Sequence, residues 1–466
     1  MTLRPNQRGQ LLIAATLFSF LVSCTKKEDL SLEKLDTTAA TSTTTTTTRQ
    51  FTLVPDAYGR LTIDNKSGTY KPGDILNLKG NFSSISISNM SGSSSGFIVI
   101  QNLPGTVVNV GNPSWNGGAY SWALSFSNCH YLRVGGVAGS KTNFIVNGST
   151  QAYREAYFNV HLGNHTDNFE LCRMTINNGG TGIVAKTEPV KGDATTAYPN
   201  STMANLSIHD LTINNTRNEA MYIGHTATYW DLTANVPYYG APSGFTAGHT
   251  YVQPIKWYNV KIYTNLVQNS GLDGIQTAAI DKLEVYNNVV TNWATQHNSG
   301  HNGGILIGGR TRNTYTHDNW VHDGWGELCQ FYGSGGTGIT HIIKNNLFVN
   351  NESDGVSMRG AENAIVQVLN NTVSMTKGVS VRINGYSGQT GKNIANANAL
   401  IAPMKGVGTI YSKYYIYLEN GAQAVEGTGT LANVKAATVA AAGVNVNSYY
   451  APLATTLLTT AGFRKS

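Results

Sequence analysis

The sequence predicts an all-β solenoid, one chain wound into a parallel coil of short strands. Three observations carry that prediction. Self-similar segments recur along the chain, their apolar residues alternate with period two, and the composition is poor in charge but rich in Gly, Asn, Thr and Tyr.

Tyr258-Asn259-Val260, Asn287-Asn288-Val289, Asp318-Asn319-Trp320, Asn345-Asn346-Leu347 and Asn370-Asn371-Thr372 share a central Asn at intervals of about 25 to 31 residues. A short apolar strand follows each, then a turn, then a Gly-apolar-x-apolar element. Those elements are Gly274-Ile275-Gln276-Thr277, Gly304-Ile305-Leu306-Ile307, Gly355-Val356-Ser357-Met358 and Gly378-Val379-Ser380-Val381. Glu327-Leu328-Cys329-Gln330 takes the same place in its rung. Looser copies stand at Met174-Thr175-Ile176-Asn177-Asn178 and Leu211-Thr212-Ile213-Asn214-Asn215. A helix needs apolar residues three and four apart, whereas these segments alternate over four to six residues between turns. Rungs of such a coil stack at about 4.8 Å. Asn amides stacked at one turn would bond along the column and satisfy backbone groups otherwise buried unpaired.

Composition narrows the class further. Of 466 residues, 12% are charged and 41% apolar, with 50 Gly against 12 Pro. That excludes a charge-rich disordered chain, a coiled coil and collagen. The net charge of +6 includes Arg4, Arg8, Lys26 and Lys27, so the body is only slightly basic and nucleic acid is not implied as a partner. Cys129, Cys172 and Cys329 are odd in number for a disulfide framework and fit no zinc spacing; buried thiols are expected.

The N-terminus reads as an address. Arg4 and Arg8 precede an apolar run from Leu11 to Val22, too short for a transmembrane helix. Leu21-Val22-Ser23-Cys24 resembles a bacterial lipobox, with residues 1–23 removed and Cys24 lipidated. Lys26-Lys27-Glu28-Asp29 resembles the short charged signal that sends lipoproteins of Bacteroidota-type bacteria to the outer cell surface. Residues 24–50, with Thr43 to Thr48 unbroken, read as a flexible tether. The expected location is the outer membrane, lipid-anchored and surface-exposed, as a monomer.

Residues 51–466 resemble the right-handed parallel β-helix (pectin-lyase-like) superfamily. Tyr70-Lys71-Pro72-Gly73-Asp74-Ile75, then Ile85, Ile87, Gly92 and Phe97-Ile98-Val99-Ile100, look like entry rungs of the alginate lyase and chondroitinase B group. Tyr449-Tyr450-Ala451-Pro452-Leu453 to Gly462 resembles the irregular cap that ends many secreted members. The resemblance implies a single-stranded right-handed parallel β-helix. It implies much less about activity, because this scaffold carries lyases, hydrolases, esterases, isomerases and adhesins.

The coil predicts an inward set of Ile275, Ile305, Leu328, Val356 and Val379, with Ile307, Met358 and Val381. One outward column reads Lys186, Gly224, Ala278, Gly308, Phe331, Arg359 and Arg382. The positions before the strands read Thr181, Glu219, Asp273, Gly303, Gly326, Asp354 and Lys377. This solvent face gathers Glu219, Asp273, Glu327 and Asp354 with Arg310, Arg359 and Arg382. Carboxylates on adjacent rungs would lie about 5 Å apart, which suits Ca²⁺ or a retaining hydrolase pair.

An elimination on a uronate-containing polysaccharide needs carboxylate neutralisation and a base. Glu219 and Asp273 are the candidate Ca²⁺ or substrate ligands, Arg310 and Arg359 the candidate neutralisers, and His301 or Arg382 the candidate base. Glu327 and Asp354 would add substrate contacts. The bland alternatives are turn residues for Asp273 and Asp354, and a surface ion-pair ladder of Arg359 and Arg382 with Asp354. His297, His301, His317 and His322 match no standard metal spacing. The three-Asp pattern of polygalacturonase-like hydrolases and the full pectate lyase calcium constellation are missing from the sequence.

The widest gap between repeats runs about 49 residues, from Ile213 to Ile262. It reads as an aromatic-rich insertion near 226–256. Tyr229, Trp230, Tyr238 and Tyr239 would form a sugar-stacking wall there, or else fold the insertion onto the flank. Three functions therefore stand open: a lyase acting on uronate glycan (favoured over a hydrolase), a non-catalytic glycan binder, and a structural or adhesive surface protein.

Overall fold

The computed structural model describes residues 48–333, 335–359, 363–384, 391–454 and 456–465. The expected signal segment 1–23, the expected lipidation site Cys24 and the Thr-rich stretch to Thr47 lie outside the described residues. The described chain is a parallel β-helix. Three long sheets hold thirteen, twelve and twelve strands among the described residues. Each turn visits the sheets in the same order. Ile280–Tyr286 lies in the first sheet, Val289–Thr291 in the second and Ile305–Ile307 in the third; Arg312–His317 then returns to the first. Neighbours pair in parallel, as in Val260↔Leu283↔Thr314↔His341.

The repeated Asn pairs build one corner. Asn287, Asp318, Asn345 and Asn370 each take left-handed backbone, with φ of 52 to 55°. Asn and Asp tolerate that region better than other side-chain-bearing residues. The residue after each is a buried Asn of a continuous ladder. Nδ2 of Asn265 donates to Oδ1 of Asn288 at 2.9 Å, and the chain runs on through Asn319, Asn346, Asn371, Asn398 and Asn433 at 2.9–3.1 Å. Each Asn Oδ1 also accepts a backbone N–H of the neighbouring rung, as Asn371 does from Asn346 at 2.9 Å. Asn259 does not belong here. Its Nδ2 reaches Asn205 in a separate exposed ladder, and Asn265 takes its place in the buried one.

The Gly of the Gly-apolar elements has a steric cause. A Cβ on Gly274, Gly304 or Gly355 would lie 2.6, 2.6 or 2.5 Å from a methyl of Val290, Val321 or Val373. Two elements differ from the expected register. Cys329, not Leu328, pairs with Ile305, and Val381, not Val379, pairs with Val356. Leu328 instead stands level with those glycines and fills the corner, fully buried. Phe331 is consequently a core residue, not an outward one. Arg382 lies beside Ser357, and Arg359 beside Tyr332. Cys129, Cys172 and Cys329 are buried free thiols.

Residues 444–464 run back along the second sheet. Val444–Asn445 pairs antiparallel with Ala451–Pro452. Leu458 and Tyr450 then pack on Leu347, Ala399 and Ile401, and the backbone N–H groups of Gly462 and Arg464 reach Ala397 O and Asn345 Oδ1. The tail thus covers an apolar flank.

The Asn ladder gives a test. Asn346→Ala should lower unfolding stability by about 3 kcal/mol, because several buried partners each lose a bond worth ~1–3 kcal/mol. Asn433→Ala, at the half-buried end, should cost less than about 1 kcal/mol. Equal losses in denaturant melts would show that the ladder does not act through burial.

Candidate active site

The third sheet carries one polar outward column. The register places Tyr222, Gln276, Leu306, Gln330, Ser357 and Arg382 on successive rungs. At the entry to these strands stand Glu219, Asp273, Gly303, Glu327 and Asp354. Backbone bonds fix that order: Ala220 N donates to Asp273 O, Gly274 N to Gly303 O and Gly304 N to Glu327 O, and the pairing of Cys329 with Val356 sets Glu327 level with Asp354. Glu327 thus replaces Gly326 in the acidic column, the outcome of the one-residue register difference.

Glu219, Asp273 and His301 form one group on this face. One ligand atom from each lies within 4.8 Å of the others. His301 Nδ1 sits 3.4 Å from Glu219 Oε1, 3.5 Å from Asp273 Oδ2 and 3.4 Å from Gln276 Oε1. Asp273 is wholly buried and Glu219 nearly so, whereas the His301 side chain is 45% exposed. Asp273 Oδ1 accepts the Gly303 N–H at 2.6 Å, but among the described residues Oδ2 has only the ionic contact with His301 and no hydrogen bond. The Gln276 amide nitrogen is also buried without a partner among the described residues. The loop carrying His301 is pinned on both sides: Trp293 Nε1 donates to Asn302 O at 3.0 Å, and His297 stacks on Trp325 at 4.9 Å.

Burial, then the charge of Asp273, pushes the Glu219 carboxyl up from its ordinary pKa. Burial likewise raises Asp273, against the pull of His301 and the Gly303 N–H. The Asp273 carboxylate in turn raises His301. Lys186 completes the wall. Its Nζ lies 2.7 Å from Glu188 and 4.8 Å from the ring centre of Tyr222. Burial acts to lower the Lys186 pKa, but Tyr222 and Glu188 outweigh it and the net shift is upward. Tyr222 donates to or accepts from Thr226 Oγ1 at 2.6 Å.

The other residues expected at the site divide. Arg359 pairs with Glu327 at 3.1 Å and sits 3.6 Å from Asp354; Arg382 bridges Asp354 at 2.5 Å and Glu419 at 3.3 Å. These form an ion-pair ladder further along the same face. Arg310 lies elsewhere, under the insertion, its Nη1 donating to Pro254 O at 2.9 Å. The insertion itself folds as a small antiparallel sheet of Ala197–Tyr198, Tyr251–Pro254, Tyr229–Asp231 and Val236–Tyr238. Tyr229 and Tyr238 pack edge-on to Phe245, and Trp230 is buried with its indole N–H on Asn235. Of these four aromatics only Tyr239 is largely exposed, at 64%. Lys186, Tyr222 and Gln276 were not singled out from the sequence as site residues. The strand alternation that marks Ile275 inward marks Gln276 outward, and that signal would have found it.

No protein-family model matches this chain, and no curated protein matches it. Solved structures show remote likeness. A GH136 lacto-N-biosidase from Eubacterium ramulus aligns with a TM-score of 0.47 at 12% identity, over 83% of this chain and 67% of that one. XylC in complex with xylose gives 0.41 at 11%, over 83% and 86%. An alginate lyase from Paenibacillus sp. str. FPU-7 gives 0.35 at 11%, over 67% and 95%. Likeness at this level carries no argument about activity.

A raised carboxyl pKa has a stability sign. The folded chain favours the protonated form, so the benefit is complete below the unfolded pKa near ~4 and is lost as pH rises through the folded value. Glu219→Gln should therefore raise the melting temperature at pH 7.5 and leave it nearly unchanged at pH 4. A lower melting temperature at pH 7.5 would mean that Glu219 is ionised and well satisfied.

Proposed function

We propose that this protein is a polysaccharide-active enzyme that lays its glycan across successive rungs of the third sheet. We further propose that it cleaves a uronate-containing chain by β-elimination, with His301 as the base. One observation carries the reading: a half-exposed imidazole whose Nδ1 edge is held by two buried carboxylates on adjacent rungs. A carboxylate behind Nδ1 fixes the ring and leaves Nε2 to take a proton from substrate. The proton taken is the one on the carbon beside the uronate carboxylate. Lys186 stands on the same wall to meet that carboxylate.

The donor set also fits a hard cation. Glu219 and Asp273 bring carboxylate oxygens, with a ring nitrogen of His301, within 4.8 Å of one another, and Asp273 Oδ2 has no hydrogen bond among the described residues. Ca²⁺ held there would offset the uronate charge. A second reading, retaining hydrolysis, draws on the carboxylate spacing, which is near the ~5 Å of such pairs. The complete burial of Asp273 weighs against it, because a nucleophile must touch the sugar.

For location, we propose a lipid anchor at Cys24 and exposure at the bacterial surface. Cys24→Ser should then move the protein from the membrane fraction to the soluble one in cell fractionation.

The reaction is tested on alginate, pectate and chondroitin, with and without Ca²⁺. Elimination predicts rising absorbance near ~232 nm from the new double bond left by proton abstraction. New reducing ends without that absorbance would replace elimination by hydrolysis, and binding without product would leave a glycan-binding protein. His301→Ala should cost ~10²–10⁴-fold in kcat. A base works only when deprotonated, and Asp273 holds the His301 proton to higher pH. The acid limb of the rate profile should therefore lie above ~6.5, the ordinary histidine value, and fall in Asp273→Asn.

A further inference from the structure

The third-sheet face carries an aromatic patch towards its N-terminal end. The entry column that holds Asp273 and Glu219 continues into earlier rungs. Ile183 pairs with Met221, which sets Thr181 level with Glu219, and Phe158 pairs with Thr181 on one side and Trp122 on the other. Phe158 thus stands two rungs from Glu219 and Trp122 three, about 10 and 14 Å along the coil. The neighbouring outward column reads Ser125, His161, Val184 and Tyr222 over the same rungs.

The rings of this patch meet solvent. Tyr120 is 71% exposed and Trp122 37%, while Phe158 and His161 are half-buried. Tyr120 stacks on Phe158 with ring centres 5.3 Å apart, and Trp122 stacks on His161 at 6.0 Å. Phe158 lies 6.1 Å from the same imidazole. The core does not use these rings, because Leu124, Phe126, Val160 and Leu162 of the same strands fill it. The outward positions around them are small and polar, with Ser84, Ser86 and Ser88 on the preceding rung. A contiguous apolar patch set in a polar face marks a binding surface, whereas scattered rings do not.

Lys186 joins the patch to the acidic group. Burial, then the Lys186 charge, lowers the His161 pKa, and the same ammonium acts on Glu219. The rings, Lys186 and the Glu219–Asp273–His301 group therefore form one continuous strip of the third sheet. A pyranose presents an apolar C–H face that an aromatic ring covers, so the chain that reaches His301 along this strip has a matching surface under its far end.

We infer that Tyr120, Trp122 and Phe158 form a distal subsite that stacks the sugar rings of a glycan whose reacting unit lies at His301. Its occupant follows from the glycan reading of this face proposed above, and not from the elimination step. A chain must span ~10 Å or more to touch both places, so the subsite serves long chains and not short ones.

The test uses two readouts on the purified full chain. Mobility in native gels cast with alginate, pectate, chondroitin or xylan reads binding directly. KM and kcat on whichever of these yields product read the reaction. At least one glycan should retard the wild type, and Trp122→Ala and Tyr120→Ala should each weaken its apparent Kd about tenfold. Where product forms, KM for the polymer should rise by a similar factor while kcat stays within about twofold. Kinetics on the shortest cleavable oligosaccharide should not change. Trp122→Phe keeps a ring and should recover most of the loss. Both side chains are exposed at a strand entry, so the variants should melt with the wild type. Wild-type affinity and KM in both alanine variants would overturn the subsite and leave the enzyme reading standing. Retardation without product, lost in Trp122→Ala, would keep the subsite and remove the enzyme reading. A wild type that no glycan retards and that yields no product would overturn both.

Discussion

The buried Asn ladder from Asn265 to Asn433 is the constraint on which the later rungs depend. A tight corner turns backbone N–H and C=O groups inward, where water cannot reach them. The ladder answers that problem once per rung. Each amide bonds its neighbours above and below, and each Oδ1 also takes a backbone N–H. A one-residue slip at the corner would break three bonds together. The corner therefore fixes the rung register, and the register decides which side chains reach the third-sheet face.

That fixed register is what brings Glu219 and Asp273 together. Their separation follows from rung stacking, so no special loop is needed to bring the acids close. The cost is electrostatic. Two nearly dry carboxyls face each other, and burial raises both. His301 relieves part of this from a loop held by Trp293 and Trp325. The arrangement resists ionisation, and a proton or a cation would relieve it. Further along the same column Arg359 pairs with Glu327 and Arg382 with Asp354, although burial still pushes the Glu327 carboxyl up. The same column thus contains one segment with arginine counter-charges and one without them.

The sequence made the coil legible because period-two strands and Asn pairs are local signals. Asn288, Asn319, Asn346 and Asn371 stand in the ladder as their spacing indicates. Asn259 looked equivalent but is not, because Asn265 lies six residues on with Thr264 supplying the left-handed turn. The slips at Leu328 and Val379 have a related cause. Each has a second apolar residue one or two positions later, and both neighbours are buried, so hydrophobicity alone cannot choose the register. The acids Glu219 and Asp273 and the base candidate His301 were legible as a group, since rung alignment and loop position suffice. Gln276 was legible from strand alternation but not singled out, and Lys186 was read only as a member of the outward column, because the contacts of Lys186 with Tyr222 and of Gln276 with His301 join segments distant in sequence.

The insertion shows where one-dimensional reading fails for a physical reason. Its aromatics suggested a sugar-stacking wall, yet Phe245 stacks on Tyr251 at 3.9 Å and draws in Tyr229 and Tyr238. A small sheet on the flank of a solenoid has no core of its own, so its aromatic residues must supply one. In doing so they roof the corner that holds Arg310 and Lys256. Covering a cation removes water from it but supplies no anion, and the Pro254 carbonyl satisfies only one nitrogen of Arg310. The same folding that removes Tyr229, Trp230 and Tyr238 as stacking surfaces therefore creates an unbalanced charge beneath them. Buried acids beside a half-exposed imidazole and a buried guanidinium beneath a roof are two separate electrostatic imbalances on the same coil.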